Sequence, residues 1–377
     1  MIRTYCTIAS RHLLKEKFFS LINIMGLAIG IAVTLLIGLY ISHELQYDRF
    51  HEKADRIYRI AMHLEMGGNA TDLNSTFPPL AEAMQSDLPE IEHAIRLAEL
   101  DGFFKYDDKV FAEENVLYAD PDFFRVFSFT LLAGDKNKAL EKPYQILLTP
   151  GLVRKYFDTS DYGSVVGKSI YVNQELHDIT GVIADAPETS HMKFSSVISM
   201  RSIGMGRDER WDNMNVSTYV LLQPGASIQG IIEKIPAVVG KRMKNFDKMT
   251  DQGVVMQPFP QALTDIHLYS NIQGEFEPTS SMNTIYVFAA IALIVLLLAC
   301  VNFVNLTTAR SANRAKEVGV RKVLGSATQQ LIRQFTFESI LTVFVATLIG
   351  LCLVELMRYP FNEISGKQLS FDLLLNP

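Results

Sequence analysis

Phe288-Ala289-Ala290-Ile291-Ala292-Leu293-Ile294-Val295-Leu296-Leu297-Leu298 carries no polar side chain, and it lies within Pro278–Ala309, 32 residues free of Asp, Glu, Lys and Arg. At about 1.5 Å per helical residue, such a stretch crosses a hydrocarbon layer ~30 Å thick. Two further uncharged stretches stand apart from it, Phe18–Ser42 with 25 residues and Ser339–Val354 with 16, the latter needing its flanks to span. The pattern predicts membrane helices at 19–42, 284–306 and 335–357. This clustering accounts for a mean hydropathy of +0.14 in a chain with 20% charged residues. An ordinary soluble enzyme is thereby excluded, and 23 Phe with 14 Tyr in 377 residues exclude a disordered chain.

Charge orients the helices. Residues 1–18 carry Arg3, Arg11, Lys15 and Lys17 against Glu16, and Thr307–Gln334 carries six basic residues against Glu317. Short basic flanks mark the cytoplasmic side. His43–Asn283 holds 23 Lys plus Arg and 35 Asp plus Glu, so this acidic block of 241 residues is expected outside. It contains none of the three cysteines (Cys6, Cys300, Cys352) and can hold no disulfide, but it is large enough to fold on apolar burial, in the manner of a bacterial periplasmic domain. The first span is too long for a signal-peptide core and lacks a small-residue cleavage site, which makes it an anchor. Within it, Gly26-Leu27-Ala28-Ile29-Gly30 places two glycines on one helix face, where another helix can approach; the alternative is the general glycine richness of membrane helices. Asn302 and Asn305 are expected either to bond a neighbouring helix or to meet headgroups. Glu338 and Glu355 fall near the span ends, Glu355 at an interface and Glu338 within reach of Arg333 or Lys322.

The fold class expected is a membrane protein with α-helical transmembrane segments and a large α+β extracytoplasmic domain of two lobes over 43–283, the second lobe at about 101–214. Leu45, Phe50, Ile57 and Ile60 suggest a helical stalk continuing the first span, with His43 and His51 on its solvated face. Pro78–Leu97 reads as one or two amphipathic helices interrupted at Pro89. Phe103–Tyr106, Asp107-Asp108 and Lys109–Ala112 read as a hairpin, with Glu113-Glu114 solvated beside it. Asp120-Pro121 reads as the cap of a short helix. Strands are expected at Tyr144–Leu148, Ser169–Asn173, Asp178–Ile183, Lys193–Met200 and Ser217–Leu222, and helices at Pro150–Phe157 and Ser227–Phe246. Residues 358–377 then form an extracytoplasmic tail without a closing helix, which suggests that the chain is the front part of something longer.

The sequence offers no catalytic constellation. Gly163-Ser164-Val165-Val166-Gly167-Lys168-Ser169 spaces its glycines by three residues where a phosphate-binding loop needs four, and it precedes a strand instead of a helix. The eight histidines form no metal-ligand pair, and no nucleophile elbow is present. No cofactor, metal or nucleic-acid partner is expected. The informative segment is Lys316-Glu317-Val318-Gly319-Val320-Arg321-Lys322-Val323-Leu324-Gly325, in which basic and apolar residues interleave between two glycines. Contact with anionic lipid would explain the charge. The valines, Leu324 and the glycines suit a bend at Gly319 and a short helix in a protein groove.

Gly26–Ile31, Glu44-Leu45-Gln46-Tyr47-Asp48-Arg49-Phe50-His51, Arg56-Ile57-Tyr58-Arg59, Asp120–Phe129 with Leu131–Asp135, Asn302–Arg310 and Lys316–Gly325 together resemble the MacB/FtsX-type ABC transporter permeases, above all the long form seen in Bacteroidetes. The resemblance implies a cytoplasmic amphipathic helix at 1–18, a two-lobed periplasmic domain and placement in the bacterial inner membrane. It also implies an ATPase-coupling role for Lys316, Glu317, Val318, Gly319, Val320, Arg321, Lys322, Leu324 and Gly325 within a cytoplasmic coupling loop at 307–334. The implied partners are a separate ATP-binding subunit and a homodimer mate or second permease half, with a periplasmic adaptor or hydrolase as a further partner. The chain itself would hydrolyse nothing and would act by mechanotransmission. Either an exporter of antimicrobial peptides, macrolides or lipoproteins or an activator of a cell-wall hydrolase fits; the absence of a signalling domain argues against a sensor.

Overall fold

The computed structural model describes residues 17–243, 253–324, 327–367 and 369. They form two compact units, an α/β unit over Gln46–Ser281 and a helical unit from the segments on either side of it. The first helix, α1 (Lys17–Leu45), ends where the stalk was expected to continue. Asp48, at φ 58°, turns the chain, and strand β1 (Ile57–Met66) follows a single 3-10 turn at Ala54–Arg56. The spacing that suggested a helical stalk belongs instead to a turn followed by a strand buried between two neighbours. His43 and His51 are correspondingly buried rather than solvated.

The rest of the α/β unit comprises β2 (Asn69–Leu73), α2 (Leu80–Asp87), β3 (Ile91–Tyr106), β4 (Lys109–Ala119), α3 (Phe123–Val126), β5 (Leu131–Gly134), β6 (Gln145–Leu148) and α4 (Pro150–Phe157). Then come β7 (Ser169–Val172), β8 (Glu175–Ile183), β9 (Ser196–Ser199), β10 (Ser217–Leu222), α5 (Ile228–Ile232), α6 (Ile235–Gly240), β11 (Val255–Ala262) and α7 (Ile266–Tyr269). The second half of the expected Pro78–Leu97 helix is strand β3. Leu88, Ile91 and Ile95 fit a helical period, but β3 lies between β10 and β4 and buries residues on both faces, which erases strand alternation. Pro236 at the start of α6 divides the expected 227–246 helix in two, and residues 244–246 lie outside the described residues. The 193–200 strand shortens to β9.

The sheet runs β11-β1-β10-β3-β4-β9-β6-β8-β5, with β2 added to β1. Because β7 pairs with both β3 and β8, strands β3, β4, β9, β6, β8 and β7 close into a ring. Pairing is parallel at β4–β9 and β6–β8 and antiparallel around the rest of it. Phe104, Ile146, Val172, Ile179 and Ile198 pack with Leu152, Val153 and Tyr156 of α4 in one core. Burying such side chains contributes roughly 1.5–3 kcal/mol each relative to exposure. A second core under α2, α5 and α6 includes Leu80, Met84, Ile231 and Val238. A third gathers Phe123, Phe127 and Phe129 around Tyr219. Glu113, expected in solvent, is buried and accepts from Lys155 Nζ at 2.6 Å and from the Tyr156 hydroxyl at 2.5 Å. Asp120 does not cap α3: its carboxylate accepts from Arg96 Nε and Nη2, each at 2.8 Å.

The helical unit is completed by α8 (Met282–Val323) and α9 (Thr328–Ser365). Among the described residues, three helices are long and apolar enough to cross a membrane: α1, the Met282–Ala309 part of α8, and α9. Helix α1 packs against both others. A Cβ on Gly30 would overlap the Cβ of Ala299, and one on Gly26 would lie 3.2 Å from Asn302 Nδ2; on the other side, a Cβ on Gly350 would lie 3.1 Å from the Ala28 carbonyl oxygen. Small residues thus let both helices approach α1 closely, where dispersion contacts between backbones hold apolar helices together in lipid. Helix α9 ends at Gly366 in the left-handed conformation, φ 66°.

Candidate functional site

Helix α8 does not stop with its apolar span. It continues from Arg310 to Val323, about 20 Å farther at helical rise. The expected bend at Gly319 is absent: the helix runs through it, and a Cβ there would meet nothing within 4 Å. Glycine is therefore not required at this position by local packing. Val318 is half-buried, whereas Val320, Val323 and Leu324 are exposed, the last two at 89% and 79%. Ile332, on the first turns of α9, is exposed as well, while Leu331 beside it is buried. Lys322 is exposed; Lys316, Glu317 and Arg321 lie on the helix, and Gly325 falls outside the described residues. Beyond its apolar span, α8 thus exposes Val320 and Val323, with Leu324 exposed just past its end and exposed Lys322 between them.

Within the helical unit, a cavity of about 370 Å³ is bordered by Phe19, Asn23, Phe303, Val318, Glu338 and Thr342. Glu338 is buried. Glu355 is largely exposed and accepts from Arg358 Nη2 at 2.7 Å. Asn302 is itself exposed and stands beside Gly26.

The α/β unit holds two buried polar clusters that its sequence did not announce. Arg59, fully buried on β1, donates Nη1 to Glu275 Oε2 at 2.5 Å and Nη2 to Glu275 Oε1 at 2.7 Å, while its Nε donates to Gln261 Oε1 at 3.1 Å. The β11 residue Gln261 is the register partner of Arg59, so pairing itself delivers one ligand of the guanidinium. In the second cluster, His191 Nδ1 lies 2.9 Å from Asp48 Oδ1, and its Nε2 is 2.9 Å from the Tyr219 hydroxyl. His51 Nδ1 accepts from the Ser128 amide at 3.0 Å. Burial lowers the His51 pKa to about 3, with His191 acting in the same direction and Asp48 against it. The sequence cue for the first cluster is a charge inside an otherwise apolar run, Ile57-Tyr58-Arg59-Ile60. Among the described residues no group of three or more His, Cys, Asp or Glu is placed to hold a metal.

Comparison with known proteins places these features. A family model described as the MacB-like periplasmic core domain matches residues 20–238, and one described as the FtsX-like permease C-terminal region matches residues 289–377. The chain belongs to the MacB/FtsX-type ABC transporter permeases. Among relatives, a macrolide export ATP-binding/permease protein MacB from Shewanella oneidensis is 24% identical over 268 residues, which cover 67% of this chain and 36% of that protein. MacB 1/2 from Paracoccus denitrificans is 21% identical over 239 residues, 62% of this chain and 34% of that protein. The chain thus spans about a third of the length of these MacB relatives. A crystallised domain of a protein described as a permease from Porphyromonas gingivalis superposes with a TM-score of 0.51 at 21% identity, covering 64% of this chain and all of that domain. The MacB-like match therefore takes in α1 and the α/β unit as far as residue 238, and the FtsX-like match takes in α8 from residue 289 together with α9.

Proposed function

We propose that this chain is a permease subunit that a separate ATP-binding subunit drives by mechanotransmission, with a second copy or second permease half completing the membrane part. The observation that carries this reading is the α8 extension: a rigid helix leaves its apolar span and ends in exposed Val320, Val323 and Leu324. Motion of a bound motor at that end is passed along α8, which Gly30 and Ala299 lock against α1. Both helices lead into the MacB-like domain, which handles cargo outside the inner membrane. Antimicrobial peptides, macrolides or lipoproteins are the cargo classes that fit, macrolides being named in the relatives above.

The test is co-purification with candidate ATP-binding subunits from the same genome. Val323→Asp combined with Leu324→Asp is expected to lower affinity for that protein at least about tenfold, because a groove built for two apolar side chains would receive two carboxylates. Stimulation of ATP hydrolysis is expected to fall in parallel. Retention of both complex and stimulation would remove the coupling role from this segment.

A further inference from the structure

The α/β unit begins at Gln46, the residue after α1, and ends at Ser281, the residue before α8. Its entry segment, 46–51, and its exit segment, 266–281, stand at opposite ends of its sequence, yet they share buried partners. The most direct tie is a ring stack. Tyr47 lies on His267 of α7 with centroids 3.4 Å apart and planes inclined by 3°, and both residues are buried. Phe50 and Phe276 pack on one core, the one around Tyr219.

A polar row makes the second tie. Gln261 on β11, Arg59 on β1 and Tyr219 on β10 are successive register partners, so one rung of the sheet sets three polar side chains next to one another. The exit segment closes on the Arg59 end: Glu275 accepts from Nη1 and Nη2, and Ser270 Oγ accepts from Gln261 Nε2 at 3.0 Å. The entry segment closes on the Tyr219 end through His191. Its ring Nε2 is 2.9 Å from the Tyr219 hydroxyl, and its backbone N–H donates to Asp48 Oδ1 at 3.2 Å. Arg59 and the Tyr219 hydroxyl face each other and join the two ends. The His191 ring also packs beside Phe276, with centroids 6.5 Å apart. Asp48, Arg59, His191 and Tyr219 are at most 3% exposed. A row buried this deeply parts as a whole, because separating one contact strands its neighbours away from both partner and water.

We propose that the entry and exit segments are two halves of one joint, held by Tyr47 on His267 and by the row from Asp48 through His191, Tyr219 and Arg59 to Glu275, so that neither moves without the other. Sliding one segment past the other breaks both ties, whereas displacing the pair together breaks neither. The α/β unit therefore receives motion of α1 and α8 as a single input and not as a difference between two. That consequence rests on the proposed function. The joint does not, and its test needs no ATP-binding subunit, so failure of the coupling experiment leaves it standing and the reverse also holds.

Two measurements on the full chain test it. The first is hydrogen exchange of the unaltered chain in lipid nanodiscs, followed at Asp48 and Gln273, whose amides donate to the Thr189 carbonyl at 2.8 Å and the Asp72 carbonyl at 2.9 Å. Their opening equilibria should agree within about threefold and respond alike to low urea, since one opening exposes both. The second is a cycle of Asp48→Asn and Glu275→Gln, read as the equilibrium constant for urea unfolding in detergent. Asparagine suits the left-handed backbone at Asp48, φ 58°. Once one end of the row is altered, altering the other should cost less. The combined effect is expected to fall short of the product of the two single effects by at least about fivefold. In a Tyr219→Phe chain, which lacks the joining hydroxyl, the two effects should simply multiply. Opening equilibria farther apart than about threefold, multiplying effects in the chain that keeps Tyr219, or a shortfall that survives Tyr219→Phe would each overturn the proposal.

Discussion

Replacing Arg59 by alanine is expected to lower the stability of the MacB-like domain by about 3–5 kcal/mol, the cost of leaving a buried carboxylate without its counter-charge. Glu275 is only 11% exposed and receives two N–H donors from Arg59. Removal of the guanidinium leaves that largely shielded carboxylate without its counter-charge, and Gln261 loses a donor at the same time. The double variant Arg59→Met with Glu275→Leu should recover most of the loss, because it removes the desolvated charges together and keeps apolar volume. Denaturant unfolding of the full chain in detergent reads both, with the single tryptophan as reporter. That residue, Trp211, packs 5.8 Å from the Phe77 ring in the core under α2. If the Arg59→Ala chain unfolds within about 1 kcal/mol of wild type, the ion pair is not what fastens the 270–276 segment to β1.

Acidification should destabilise the same domain through His51. Its pKa is lowered from 6.5 to about 3 in the folded chain, mainly by burial, and the Ser128 amide donating to Nδ1 favours the neutral ring. Below pH 6.5 the unfolded chain binds a proton that the folded chain refuses. Stability is therefore full above the unfolded pKa and falls as pH drops toward the folded one, with a limiting slope of about 1.4 kcal/mol per pH unit. Between about pH 6.5 and 4.5 this amounts to a loss of roughly 2 kcal/mol. Other groups in the cluster are Asp48, His191 and Tyr219, so the control is His51→Gln, whose amide oxygen can still accept from Ser128 but does not titrate. Its stability should be flatter over that interval. Parallel wild-type and variant curves would assign the acid sensitivity elsewhere.

Much of the architecture was legible because it rests on local patterns. The three apolar spans, the Asp107-Asp108 turn between β3 and β4, helix α4 at Pro150–Phe157 and strand β10 at Ser217–Leu222 all appear where residue type and period place them. Errors arose where tertiary burial overrides local period. Strand β3 is apolar on both faces and imitates a helix, and the stretch after α1 imitates a stalk for the same reason. Polar burial was the least legible: His51, Glu113 and Arg59 are as hydrophilic as any surface residue, and only the folded neighbours reveal their partners. Between Lys316 and Leu324 the exposed Val323 and Leu324 were readable as apolar residues among charges, whereas continuity through Gly319 was not, because glycine permits a bend without requiring one.

Strand β3 belongs to two structures at once. Its first half is hydrogen-bonded to β10 within the open sheet, and its second half is a stave of the closed ring. At about 3.4 Å per residue, its 16 residues make a beam roughly 50 Å long. Sheet and ring share this one strand, and they cannot separate without breaking its backbone hydrogen bonds. The register shift between Leu100 and Gly102 falls where the two meet, so a bend of the sheet against the ring has its natural place there.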